Sequence, residues 1–177
     1  MNKRFVVIAA TLLVIALAVS EALAVIATES FTVTVPAVLT VTAPAASVSL
    51  THSQTDGNQA FAAQRWTMAQ NAALGASITF STNQAFTHAT ATTFKRNAKL
   101  DLALFSSDAG SGWAVTTATD QTDYANVISD GVATVSATAI APGDAALDLT
   151  VTFVTTDFST LASGNYSTTV TGTLTAL

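Results

Sequence analysis

The chain has 177 residues, half of them hydrophobic and only 10% charged, with no cysteine and a net charge of −5. That length holds one sizeable core, the missing cysteine excludes a disulfide framework, and the acidic balance argues against a nucleic-acid partner. Alanine and valine alternate with threonine and serine where lysine and glutamate would be usual, which suits strands with hydroxyl-bearing outer faces.

Met1–Arg4 is a short basic start, and Phe5 to Val19 is an apolar run broken only by Thr11. Such a run falls short of the roughly 20 residues that cross a bilayer. Ser20-Glu21 interrupts it, and Ala22-Leu23-Ala24 has the small-x-small pattern of a signal-peptide cleavage site. Residues 1–24 are therefore expected to be a signal peptide cut after Ala24, with Ala27 as second choice. The alternative, an uncleaved anchor from Phe5 to Ala27, would place Glu21 in lipid at considerable cost. Cleavage removes Lys3, Arg4 and Glu21, leaving four basic and ten acidic residues, a net charge of −6. The mature chain, 25–177, is expected to be one secreted or cell-surface domain with no membrane span.

From Phe31 the odd positions Phe31, Val33, Val35, Ala37, Leu39 and Val41 are apolar and the even ones mostly threonine. This period of two predicts a strand that Pro36, lacking an amide donor, must split, bulge or confine to an edge. Ala46 to Thr51 reads as a short strand carrying Val48 and Leu50, and His52 to Gln59 as a turn around Asp56-Gly57. Phe61 to Gln70 fits a strand with Trp66 and Met68 on one face, or a short helix; the strand is preferred. Leu74 to Ser81 is a clear strand. Asn83 to Ala98 reads as a long connection with a short strand at Ala91 to Phe94. Lys99 to Ser106 is predicted to be a strand covered on both sides.

Trp113 to Thr117 follows a glycine-rich turn, and Thr119 to Asn126 reads as loop. Asp130-Gly131 is the strongest hairpin signal in the chain. Strands are predicted around Ala133–Ala139 and Leu147–Phe153, and a final one from Tyr166 through Val170 and Leu174 to Ala176. Short strands separated by turn signals favour a sandwich or barrel over an α/β fold.

The closing pattern Leu161-x-x-Gly164-x-Tyr166-x-x-x-Val170-x-x-x-Leu174 resembles the last strand of bacterial immunoglobulin-like surface domains. It is also similar to the closing strand of the spore-coat-U and chaperone–usher pilin families. The resemblance covers about 20 residues and implies an all-β, immunoglobulin-like antiparallel β-sandwich. It implies for Leu161, Gly164 and Tyr166 a tyrosine corner, in which the ring hydroxyl bonds backbone just upstream. The chain departs from those pilins in having no cysteine pair and in placing Ala176, not an aromatic, next to last.

Ahead of the first firm turn, residues 25–42 form an alternating arm. An exposed sheet edge can be completed by a neighbour's arm, and Phe31, Val33, Val35, Leu39 and Val41 are the candidate assembly residues. The competing expectation is that the arm pairs within its own domain as the first strand. No nucleophile elbow, phosphate loop or zinc-binding helix motif occurs, so neither enzyme activity nor a cofactor is expected. His52 and His88 lie apart, and Asp108, Asp120, Asp123, Asp130 and Asp144 in turns match no calcium loop. The expected role is a non-enzymatic structural subunit of a surface fibre, pilus-like appendage or matrix, partnered by itself or other surface subunits. The alternative is an adhesin or carbohydrate-binding module, with Trp113 and the basic residues Lys95, Arg96 and Lys99 as ligand contacts.

Overall fold

The computed structural model describes residues 26–124 and 131–177. The signal-peptide expectation for 1–24 and most of the Tyr124–Gly131 hairpin expectation lie outside the described residues. The chain divides into two compact units, 1–35 and 36–177. The described part of the first, 26–35, is coil, and every strand among the described residues belongs to the second.

In chain order the strands are β1 (Leu39–Thr42), β2 (Gln59–Ala60), β3 (Gln64–Gln70), β4 (Ala76–Thr82), β5 (Phe86–His88), β6 (Lys95–Arg96) and β7 (Ala98–Ser107). They continue with β8 (Ala114–Thr117), β9 (Thr119–Gln121), β10 (Ala133–Thr138), β11 (Ala145–Phe153), β12 (Tyr166–Ser167) and β13 (Thr171–Ala176). All pairings are antiparallel. One sheet runs β1-β3-β11-β7-β9, with β2 on the far end of β11; a second runs β13-β4-β10-β8; a third, small one runs β12-β5-β6. The only helical segment among the described residues is a 3-10 turn at Phe158–Thr160.

Period-two patterning explains how the first two sheets face each other. Ala76, Ile78 and Phe80 of β4 and Ala133, Val135 and Ala137 of β10 are fully buried, while the residues between them are half-buried. They meet Met68 of β3, Leu100 and Leu102 of β7 and Leu147 and Leu149 of β11 in one core. Trp66 and Phe80 join the sheets edge to face at 5.1 Å. The protein is an all-β sandwich.

Several sequence expectations change. Phe61–Gln70 resolves in favour of strand. Ala46–Thr51 forms no strand, because no described segment pairs with it; Val48 and Leu50 remain exposed. Ala91–Phe94 is a turn closed by Phe94 N donating to Ala91 O at 2.9 Å, and the strands lie on either side of it. Part of the Thr119–Asn126 loop pairs with β7 as β9. The outer side of β7 is open, with Phe105 exposed apart from the Arg65 guanidinium 3.1 Å above its ring. The final strand divides: Tyr166 and Ser167 pair in the small sheet before the chain crosses to become β13.

Candidate functional site

The five arm residues separate at Pro36. Phe31, Val33 and Val35 are 84%, 87% and 74% exposed, in coil. Leu39 and Val41 lie in β1, opposite Gln70 and Met68 of β3, and Val41 packs against the core. Asn71 fixes the start of this second part. Its Oδ1 accepts from Val38 N at 2.7 Å and its Nδ2 donates to Pro36 O at 2.7 Å. Its own N donates to Val38 O at 3.2 Å. Nothing about a lone Asn after a strand would have revealed this clamp.

β1 ends opposite Thr67, so among the described residues β3 continues through Trp66 to Gln64 with no strand paired on that side. Across the opening, β13 is bonded among the described residues only to β4, and β1 lies beside it without pairing. Val41, Trp66, Val170 and Leu174 are half-buried along this rim, against the core but not closed over. Gly172 belongs to the same rim: a Cβ there would meet Phe80 at 3.0 Å and Trp66 at 3.1 Å.

Beside the small third sheet, Leu161, Gly164 and Tyr166 come together. Tyr166 Oη donates to Ala162 O, four residues upstream, at 3.2 Å. Its ring meets Phe153 at 5.4 Å and His88 at 5.0 Å, in a second cluster with Phe86, Ala98, Phe61 and Leu161. His88 is buried; its Nδ1 accepts from Thr90 N and Ala91 N, so its proton lies on Nε2, which donates to Ser163 O at 3.0 Å. Gly164, at φ +145°, passes so close to that ring that any side chain would strike Nε2.

The four alternative ligand contacts do not converge. Trp113 is buried in the core and donates its indole N–H to Gly143 O at 3.1 Å, leaving no ring face for a sugar. Arg96 donates to Lys95 O, Thr160 O and Thr160 Oγ1, and Lys99 pairs with Asp101 at 2.9 Å. Arg96 thus ties the small sheet to the Thr160 turn, and the Lys99–Asp101 pair lies within β7. Two of the aspartates bond backbone instead of a ligand: Asp108 Oδ2 accepts from Asp144 N, and the two Asp120 oxygens, in β9, accept from Gln121 N and Thr134 N. Among the described residues no group of three or more metal-ligating side chains occurs, and no helix is long and apolar enough to cross a membrane.

Sequence reasoning missed a cavity of about 630 Å³ beside the corner, a size typical of ligand pockets. Phe61, Phe153, Phe158 and Tyr166 supply aromatic walls, Gln54, Gln59 and Asn165 supply amides, and no charged residue lines it. His52 stacks on Phe158 at 5.4 Å and accepts from Gln54 N through Nδ1. No family model, curated protein or solved structure matches the chain. The functional reading therefore stands on these residues alone.

Proposed function

We propose that the chain is a non-enzymatic structural subunit of a surface fibre, pilus-like appendage or extracellular matrix, exported by its N-terminal segment and self-associating through its arm. The observation that carries this reading is the exposed row Phe31, Val33 and Val35 ahead of a folded sandwich. Three large apolar side chains on alternate residues, separated by threonines, would make one face of a strand once a sheet pairs with them. The stretch from Ser30 to Leu50 carries no charge, so nothing in it opposes burial.

Size-exclusion chromatography and electron microscopy of residues 25–177 and 36–177 test it. The longer chain is expected to form assemblies that grow with concentration, and the shorter one to remain monomeric with an unchanged unfolding midpoint. A longer chain that stays monomeric at high concentration removes the proposal. Mass spectrometry of exported protein is expected to find Val25 as the first residue.

A second reading, a carbohydrate-binding adhesin, is favoured by the uncharged, aromatic and amide-lined cavity next to Tyr166. A glycan array repeated with Phe158→Ala separates the two roles. Absence of binding, or binding indifferent to that substitution, removes the cavity as a sugar site.

A further inference from the structure

We infer that the acceptor for the arm is the outer edge of β13, and that its occupant is the segment Glu29–Val35 of a second copy of this chain. The inference rests on the proposed assembly through the arm and adds the surface that receives it.

Among the described residues the two facing sheets end in four edge strands, and these differ in how well they are protected. β9 is three residues long and carries Asp120. β8 meets β10 through a register shift between Ser136 and Ala137, and such irregularities hinder further pairing. β1 is four residues long, with Pro36 three positions before it. β13 carries none of these devices in its own sequence, and β1 lies beside it without bonding to it. β13 is six residues of unbroken register against β4, with the sequence Thr-Gly-Thr-Leu-Thr-Ala, free of charge and proline.

Backbone pairing identifies the groups left open. Leu177 N donates to Gly75 O, and Ala139 N, from the β10 side, donates to Ala76 O. Odd residues of β4 therefore face β13 and even ones face β10. In β13 the odd residues Thr171, Thr173 and Thr175 bond β4. Gly172, Leu174 and Ala176 turn their N–H and C=O groups to the free edge.

The same even positions line the rim where Trp66, Val41, Val170 and Leu174 are incompletely covered. A strand laid along this edge would satisfy the open amides and carbonyls and insert alternate side chains between the two sheets. Phe31, Val33 and Val35 have the required spacing. Thr32 and Thr34 would then extend the outward threonine face of Thr171, Thr173 and Thr175, so both faces of the added strand match its neighbour.

Because the chain contains no cysteine, single substitutions report the pairing cleanly. Val33→Cys and Leu174→Cys chains, each shown to unfold like the parent under reducing conditions, are mixed, allowed to assemble and oxidised. A disulfide-linked heterodimer is expected, formed several-fold more efficiently than with Thr34→Cys, whose side chain faces away. Phe31→Cys and Val35→Cys are tested against Leu174→Cys in the same way, to allow for the register. Three results overturn the inference: no odd-position variant exceeding Thr34→Cys, an equal yield with Thr116→Cys on the β8 edge, or, in a Val33→Cys/Leu174→Cys double variant, linkage confined within one chain. If 36–177 fails to assemble while the heterodimer is absent, the acceptor edge is wrong and assembly through the arm survives. If 36–177 assembles like the longer chain, the arm has no part in assembly and both readings fall.

Discussion

Two residue-scale arrangements carry predictions of opposite weight. At the corner, Tyr166→Phe keeps the ring contacts with Phe153 and His88 and removes only the hydroxyl bonded to Ala162 O. The expected loss is about 1 kcal/mol, read as a lower denaturant midpoint at unchanged m. Gly164→Ala is expected to cost more, because it combines an unfavourable φ with a collision against the His88 ring, itself held by hydrogen bonds at both ring nitrogens. On the outer face of the first sheet, Arg65 donates to both oxygens of Asp148, at 2.9 and 3.0 Å. The hydrogen bonds from Arg65 hold the Asp148 carboxyl below its ordinary range. Stability from this pair is thus fully present above the ordinary carboxylate value and is lost as pH falls through the lowered one. NMR titration of Asp148 is expected to show a return to the ordinary value in Arg65→Ala. The pair is solvent-exposed, so the unfolding midpoint near neutral pH should change little.

At the scale of elements, β4 supports the rest of its sheet. It lies between β13 and β10, and Phe80 reaches Trp66 across the core. Phe80→Ala is expected to destabilise the fold by about 3–5 kcal/mol, since it opens a cavity where both sheets meet. Thermal unfolding followed by circular dichroism measures this, and a shift within experimental error would contradict the assigned core. This strand was legible in the sequence, as were β10 and β11, because alternation there coincides with a partner on each side. Alternation alone could not distinguish them from Ala46–Thr51, which has the same pattern and no partner. The short strands β5, β6 and β9 were hidden because two or three residues are too few to show a period: β5 and β6 pair with each other across the Ala91–Phe94 turn, and polar β9 is held by β7. The rim of the candidate site was half legible. Odd-position apolar residues marked the arm, but the open edge of β13 depends on where β1 stops and on Asn71 fixing Pro36 and Val38. Trp113 shows the limit of reading an aromatic beside a turn as exposed, since Gly143 O, thirty residues away, accepts its indole N–H.

For the whole molecule, the charge distribution decides which force can assemble it. The mature chain would carry a net charge of −6, so copies repel one another; the stretch from Ser30 to Leu50 carries no charge to offset that repulsion, and Glu29 in the arm adds to it. Attraction must come from apolar burial and from backbone hydrogen bonds at a sheet edge, neither of which added salt weakens. Sodium chloride raised from low to physiological concentration is therefore expected to increase assembly modestly, by screening the repulsion over about 8–10 Å. Sulfate should promote it further, and the binding heat capacity should be negative, as burial of Phe31, Val33 and Val35 requires. Light scattering across a salt series, with calorimetry at several temperatures, measures both. Assemblies that dissolve as sodium chloride rises would instead show that the scattered positive charges, Arg65 and the Lys95–Lys99 group, hold the copies together. That result is incompatible with the apolar row Phe31, Val33 and Val35 completing an uncharged edge.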